Sequence, residues 1–189
     1  MGPIVPPRPS ASTFRYTIFK DFRALSFDAR ESTWAQLVDQ LRTAPAVAKK
    51  ADLPLIKGAT YGNERSLKGS PRSELNMLEV SFLEVEHDTG EVLIGEAADR
   101  LRVLGLQAVL YTTARNINGQ RWRMFLPLSQ PIALQQREGF TRALDDALDG
   151  CLAPESHTSA QAWYFGRVEG VPFEMIEVDG EPHYCPVRS

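Results

Sequence analysis

The sequence predicts an α+β fold, with a mixed or antiparallel sheet and helices on one face of it. Segments with alternating apolar residues, typical of strands, are interspersed with segments whose apolar residues recur every three to four positions, typical of helices. From residue 77 onward the predicted order is strand, helix, strand, hairpin strand, helix, strand and strand. This is the element order of an α+β protein.

The N-terminal part contributes one predicted strand and one predicted helix. A strand is expected over residues 14–22, and a helix follows over 33–43 with Ser32 as its N-cap. The strand presents Phe14, Tyr16 and Ile18 on one face, and the helix presents Trp34, Leu37, Val38 and Leu41 on one stripe. Residues 1–12 are rich in Pro and Ser and are predicted to be disordered. Residues 52–75 show little periodicity and are predicted to form a long loop with short elements.

The remaining elements follow from similar patterns along the chain. The predicted strands span about 77–86, 107–113, 121–128, 161–167 and 173–178, and the predicted helices span about 91–104 and 133–149. Gly105 and Gly150 end these two helices. The sequence NING at 116–119 has the residue types of a hairpin turn, so the strands on either side of it are expected to pair.

Length and composition limit the class of protein. A chain of 189 residues with 43% apolar and 24% charged residues fits a soluble globular protein, with a single domain over 13–189. No apolar run approaches the roughly 18–20 residues that span a bilayer, so no membrane partner is expected. Two cysteines, Cys151 and Cys185, argue against a disulfide framework or a zinc site. We expect a cytoplasmic location, since the first residues lack the features of a secretory signal.

Charge is unevenly distributed along the sequence. The net charge of −3 argues against a protein that coats nucleic acid along its whole surface. Residues 49–72 contain six basic side chains, whereas residues 84–99 contain six acidic side chains and no Lys or Arg. An acidic cluster flanked by basic segments is what a metal-dependent phosphoryl-transfer site requires. A surface with a patchwork of charges gives the same counts.

The strongest candidate site is the stretch SFLEVEHDTGEV at 81–92. Glu84, Glu86 and Asp88 are two residues apart, so on an extended strand they project from the same face. Paired carboxylates are the ligands that Mg²⁺ and Mn²⁺ prefer. The alternative is a strand end whose acidic side chains face solvent.

Arginines flank the predicted hairpin and form a candidate phosphate site. Arg115 precedes the turn, and Arg121 and Arg123 share one face of the strand after it. Guanidinium groups match the geometry of phosphate oxygens. An ordinary exposed hairpin would have the same pattern, and Asn116 is then a turn residue. His87 alternates away from the acids, and His157 lies in a loop.

Several segments together resemble the small archaeo-eukaryotic primase-type domains of phage, prophage and plasmid replication proteins. The segment FLEVEHDTGE is similar to the apolar strand of that family that leads into an acidic D-x-D-type motif. The segment LQAVLYTTARNINGQRWRMFLPLSQPI resembles its strand, hairpin and strand, with a Y-T-[ST] strand end followed by R-W-R and P-L-S. The segment LAPESHTSAQAWYFGR resembles a later stretch with an aromatic strand. Together these similarities extend over most of residues 14–180.

The resemblance implies an RRM-like catalytic half and template-directed nucleotidyl transfer with two divalent metal ions. The acidic motif falls on Glu86 and Asp88, and Glu84 matches an acid of the phage-type branch. Glu86 replaces the usual Asp, and Asn116 stands where the family has a phosphate-contacting histidine. The third acid of the family is assigned to Glu155.

These observations lead to the hypothesis of a DNA primase or polymerase that replicates a mobile element. Glu84, Glu86 and Asp88 are expected to hold Mg²⁺ or Mn²⁺, with Glu155 as a further ligand. The predicted nucleotide-phosphate ligands are Arg115, Asn116, Arg121, Arg123 and Arg167, and the predicted template ligands are Lys57, Arg65, Lys68 and Arg72. The expected partners are a single-stranded DNA template, nucleoside triphosphates and a helicase domain or replication protein. The alternatives are an inactive primase-fold module that binds nucleic acid or a replication partner, and a metal-dependent nuclease.

Overall fold

The structure is a computed structural model that describes residues 13–116 and 118–183. The strands in these ranges are β1 (Thr13–Phe19), β2 (Phe27–Thr33), β3 (Ala46–Val47), β4 (Leu55–Lys57), β5 (Ala59–Tyr61), β6 (Met77–His87), β7 (Ala108–Thr112), β8 (Trp122–Ala133), β9 (Trp163–Tyr164), β10 (Arg167–Val168) and β11 (Met175–Val178). The helices are α1 (Trp34–Thr43), α2 (Ile94–Leu104) and α3 (Leu134–Ala147). The predicted disorder of residues 1–12 concerns a segment outside the described residues.

The strands form two larger sheets and a short parallel pair. A four-stranded sheet has the order β2-β1-β4-β9, and a five-stranded sheet has the order β11-β7-β8-β6-β5. All pairings in these two sheets are antiparallel, whereas β3 and β10 pair in parallel. The α+β class is therefore confirmed, but two larger sheets replace the one that was predicted. The chain passes from the first sheet to the second at Gly58, between β4 and β5.

The five-stranded sheet separates two hydrophobic cores. One core contains residues of α2 and α3, among them Leu101 and Leu144, together with Leu83 and Val85 of β6. The other core contains residues of α1 and β1, together with Phe82 of β6. The prediction that the helices share one face was wrong, because α1 covers the face opposite α2 and α3.

Most of the predicted elements are present, with corrected ends. The predicted stripe on α1 is confirmed, since Leu37, Val38 and Leu41 are buried. The N-cap is Thr33 and not Ser32, because the Thr33 side chain accepts the capping hydrogen bond at the start of α1. The Thr33 hydroxyl accepts a hydrogen bond from the Gln36 backbone N–H, and the Gln36 side chain accepts one from the Thr33 N–H.

The strand β2 was not predicted from the sequence, whereas β4 and β5 were expected only as unspecified short elements of a long loop. The strand β2 is exposed along most of its length and lacks an alternating apolar pattern. The strands β4 and β5 lie within the predicted loop, and each has three residues. No helix in the described ranges is long and apolar enough to cross a membrane.

A bulge near the start of β6 decides which core each later residue faces. The backbone N–H groups of Ser81 and Phe82 both point to the Gly58 carbonyl oxygen, at 2.7 and 3.4 Å. Two residues opposite one acceptor is the pattern of a β-bulge. Val80 and Phe82 consequently lie in different cores, although residues two apart on a regular strand share a face.

Candidate functional site

An open pocket of about 200 Å³ lies where the C-terminal end of β6 meets β9 of the other sheet. Three carboxylates line it, Glu86, Asp88 and Glu155, and four basic side chains face them, Lys50, Arg115, Arg121 and Arg123. Thr113, Gln161, Ala162, Trp163 and Tyr164 complete the walls. Acidic and basic groups therefore meet at one place, as a site for an anionic ligand and a cation requires.

Glu86 is held by an arginine on the neighbouring strand. Glu86 and Arg123 are direct partners in the pairing of β6 with β8, and Arg123 Nη2 donates to Glu86 Oε1 over 2.8 Å. Arg123 Nη1 donates to the Tyr164 carbonyl over 2.9 Å, and its guanidinium lies 5.2 Å from the centre of the Trp163 ring. Through these contacts Arg123 connects β6, β8 and β9, and its side chain is only 4% exposed.

A 3₁₀ turn at Pro154–His157 brings Glu155 to the same pocket. Ser156 anchors the turn, because its hydroxyl accepts from the Glu86 N–H over 3.0 Å and lies 3.3 Å from the Glu86 carbonyl oxygen. The Ala153 N–H also donates to the Glu86 carbonyl, over 2.7 Å. The predicted third acid thus lies beside the predicted first one, although 69 sequence positions separate them.

The basic side of the pocket includes a lysine that the site predictions did not name. The Lys50 ammonium lies 4.7 Å from the centre of the Tyr164 ring, a cation–π contact. Burial lowers the pKa of Lys50, and the nearby Arg123 and Arg115 lower it further, while Glu86 opposes them. When neighbouring cations destabilise the charged form of a basic group, an anion that binds nearby stabilises that charged form.

The donor atoms suit a hard divalent cation, although the described side chains do not form a finished cage. Carboxylate oxygens are the ligands of Mg²⁺ and Mn²⁺, and Mg²⁺ is often held by one or two carboxylates together with substrate phosphates. Glu86 and Asp88, with the exposed Glu155 beside them, meet that requirement. Across 13–116 and 118–183, no group of three His, Cys, Asp or Glu side chains has already converged on a metal position.

Glu84 is placed in the interior and does not line the pocket. It is completely buried and forms an ion pair with Lys57, which is also completely buried. Arg137 of α3 adds a second buried cation, 3.8 Å from the Glu84 carboxylate. Desolvation lowers the pKa of Lys57 to about 7, with Glu84 opposing the shift and Arg137 adding to it. Glu84 therefore neutralises buried cations, and Lys57 has no exposed surface with which to contact a template.

The other predicted ligands are also outside the pocket. The Asn116 side chain accepts from the Arg121 N–H over 3.2 Å, which fits its alternative role as a turn residue. Arg167 donates to the Ala44 carbonyl over 3.0 Å and lies over the Phe173 ring. Arg65, Lys68 and Arg72 lie in the segment before β6. None of these three side chains lines the pocket.

The two histidines considered from the sequence have structural partners. His87 Nδ1 donates to the Cys151 carbonyl over 2.6 Å, and Nε2 accepts from the Val92 N–H over 3.2 Å. Its ring stacks on Trp122 in the core, with 5.1 Å between centroids, so it points away from the acids as predicted. His157 Nε2 lies 3.0 Å from the Asp145 carboxylate.

The pocket also contains residues that sequence reasoning did not assign to a site. Trp163 and Tyr164 were predicted only as part of a late strand, and Lys50 only as one charge of a basic segment. No local pattern connects these residues with Glu86, because Trp163 and Tyr164 lie on a strand of the other sheet and Lys50 lies in the 3₁₀ turn before β4.

Comparisons with known proteins give one distant structural similarity. The chain is similar to the AEP domain (PP-N190) of the cyanophage S-2L primase-polymerase (PrimPol), with 13% sequence identity and a TM-score of 0.47. The match covers 92% of this chain and 84% of that chain. No family model matches the sequence, and no curated protein matches it.

Proposed function

We propose that this protein is a metal-dependent nucleotidyltransferase of the primase or polymerase type. The observation that supports this proposal is the pocket, in which Glu86, Asp88 and Glu155 lie opposite four basic side chains. A nucleoside triphosphate needs both groups of residues, because cations bind its phosphates and carboxylates hold the metal ion that accompanies them. The motifs at 81–92 and 107–131 provide the second support, since they resemble those of archaeo-eukaryotic primases.

Each group in the pocket has a specific task in this proposal. Arg115 and Arg121 bind triphosphate oxygens, and Lys50 neutralises phosphate charge from the Tyr164 side. Arg123 fixes one oxygen of Glu86 and leaves the other free for a metal ion. Glu86 and Asp88, with Glu155 as a third ligand, would hold Mg²⁺ or Mn²⁺. The ion would neutralise the phosphates and lower the barrier for attack by a 3′-hydroxyl.

The finer parts of the proposal concern the fold and the biological setting. The order β6-α2-β7-β8-α3, with β6, β8 and β7 adjacent and both helices in one core, is compatible with an RRM-like half. We propose single-stranded DNA as the template and replication of a mobile element as the setting, with a helicase domain or replication protein as partner. Arg65, Lys68 and Arg72 remain proposed template ligands, in the segment before β6.

A second candidate function is an inactive module that binds nucleic acid through the same pocket. The ion pair between Glu86 and Arg123 favours it, because a metal ion must compete with a nearly buried guanidinium for that carboxylate. Such a module would bind single strands in a salt-sensitive way without metal-dependent synthesis.

Primer synthesis and extension on a single-stranded template distinguish these functions. The wild-type protein is expected to extend a primer with Mn²⁺ and either ribo- or deoxyribonucleotides. Glu86→Gln and Asp88→Asn are expected to lower the rate at least 100-fold, because each removes a charged metal ligand. Glu91→Gln is the matched control, since Glu91 is exposed and does not line the pocket. Template cleavage would favour a nuclease. Template binding without synthesis would favour the inactive module.

A further inference from the structure

The outer edge of β6 near the pocket is completed by side chains and a turn instead of a strand. Within the described ranges, β5 pairs with β6 only as far as Val80. Beyond that point the Glu84 carbonyl accepts from Trp163 Nε1 over 3.2 Å and from Arg137 Nη2 over 3.4 Å. The Glu86 backbone is bound by Ser156 and Ala153. The end of the strand that carries Glu86 therefore depends on these contacts for its position.

Arg137 joins two of the segments that meet at this edge. It lies on α3, is completely buried, and donates from Nη1 to the Ser156 carbonyl over 3.1 Å. Its other terminal nitrogen contacts the Glu84 carbonyl. A guanidinium group holds two acceptors in a fixed geometry, which a lysine ammonium does not do. Arg137 thus fixes the distance between β6 and the turn that carries Glu155.

Stability alone gives no reason for an arginine at this position. Burying a guanidinium is costly, and replacing buried ion pairs with apolar side chains is often neutral or stabilising. Lys57 already pairs with Glu84, so Arg137 adds a second buried cation to one carboxylate. The property that Arg137 adds is the connection between Ser156 and the β6 backbone.

We infer that Arg137 is a positioning residue that, acting through Ser156, sets the spacing of Glu86 and Glu155 across the pocket. This inference rests on the proposed function, in which both carboxylates contact the metal ion. Arg137 itself does not line the pocket and touches no substrate.

Hydrogen exchange of single amides tests the connection without any ligand. In Arg137→Met, the amides of Glu86 and Ala153 are expected to exchange at least tenfold faster, while the amides of the β7–β8 hairpin keep their protection. Ser156→Ala breaks the next link with little change in volume and should have the same local effect, which keeps the test valid if Arg137→Met folds poorly. Arg142→Met is the control, since Arg142 lies exposed on the same helix. Unchanged exchange, or an equal rise over the whole sheet, would overturn the inference.

Binding of Mn²⁺ alone, followed by electron paramagnetic resonance, tests the consequence for the site. Arg137→Met and Ser156→Ala should each weaken Mn²⁺ binding on the order of tenfold, as removal of an outer-shell partner does, and Arg142→Met should leave it unchanged. If the variants show the local increase in exchange but bind Mn²⁺ with the affinity of the wild type, the positioning role is refuted. A wild-type protein that binds no Mn²⁺ would instead refute the proposed function, and the exchange data would still decide whether Arg137 fixes the strand end.

Discussion

Replacement of Glu84 by glutamine should destabilise the folded protein strongly and leave the pocket's own carboxylates in place. The substitution keeps the shape of the side chain and removes the negative charge that Lys57 and Arg137 share, and all three groups are completely buried. Breaking a buried ion pair from one side costs about 3–5 kcal/mol. The pKa of Lys57 is already lowered to about 7. Without Glu84, Lys57 can lose its proton near neutral pH, so we expect a cost of about 3 kcal/mol, at the lower end of that range.

Equilibrium unfolding in urea at pH 7 measures this cost directly. For a chain of this size, about 3 kcal/mol corresponds to a fall of roughly 6–12 °C in the melting temperature. Glu138→Gln is the matched control, because Glu138 forms an exposed ion pair with Arg142 and such pairs contribute about 0–1 kcal/mol. The destabilisation by Glu84→Gln should grow at lower pH, where the deprotonation of Lys57 costs more.

The opposite result would restore the prediction that Glu84 is a metal ligand. In that case Glu84→Gln would change the free energy of unfolding by less than about 1 kcal/mol, as a partly exposed carboxylate does. It would also weaken Mn²⁺ binding to the same degree as Glu86→Gln. Either observation would refute the description of Glu84 as the anion of a buried charge cluster.

Four further substitutions test other parts of the structure. Lys57→Met tests the lowered pKa of Lys57. Between about pH 7 and 10, Lys57 is protonated in the unfolded chain and deprotonated in the folded protein. The free energy of unfolding of the wild type, relative to that of Lys57→Met, should therefore rise with pH in urea titrations at several pH values. Thr33→Ala removes the N-cap of α1 and should cost about 1 kcal/mol in urea unfolding. Gly139→Ala should raise stability by about 0.5–1 kcal/mol, since Gly139 is helical with open space around its Cα. Gly58→Ala should lower the melting temperature, because the added Cβ would lie 2.3 Å from the Phe82 carbonyl oxygen.

The main strands and helices could be predicted because their patterns are local. The strands at 77–87 and 108–112 and the helices at 34–43 and 94–104 have regular apolar spacing, and Gly105 takes the left-handed conformation that ends a helix. The strand β2 escaped prediction because its side chains face solvent and its only described neighbour is β1. This segment is a strand because its backbone pairs with β1, and such pairing requires no alternation of apolar residues in the sequence.

The candidate site was predictable in part, and the limit is again the difference between local and distant contacts. The spacing of Glu84 and Glu86 correctly places both side chains on one face of β6. The spacing contains no information on how far the four-stranded sheet covers that face. In the structure Glu84 is completely buried, whereas Glu86 is still partly exposed. The partners of Glu84 are Lys57 and Arg137, which lie 27 and 53 positions away in the sequence.

The bulge at Ser81 and Phe82 determines on which face of β6 the carboxylates lie. From Phe82 onward, even-numbered side chains of β6 face the α1 core and odd-numbered ones face the α2 and α3 core. A regular strand of the same length, without the bulge, would exchange the places of Glu86 and His87. A carboxylate would then enter an apolar interior and an imidazole would enter the pocket. The orientation of the site is thus specified at Gly58, whose missing side chain leaves room for the irregular strand.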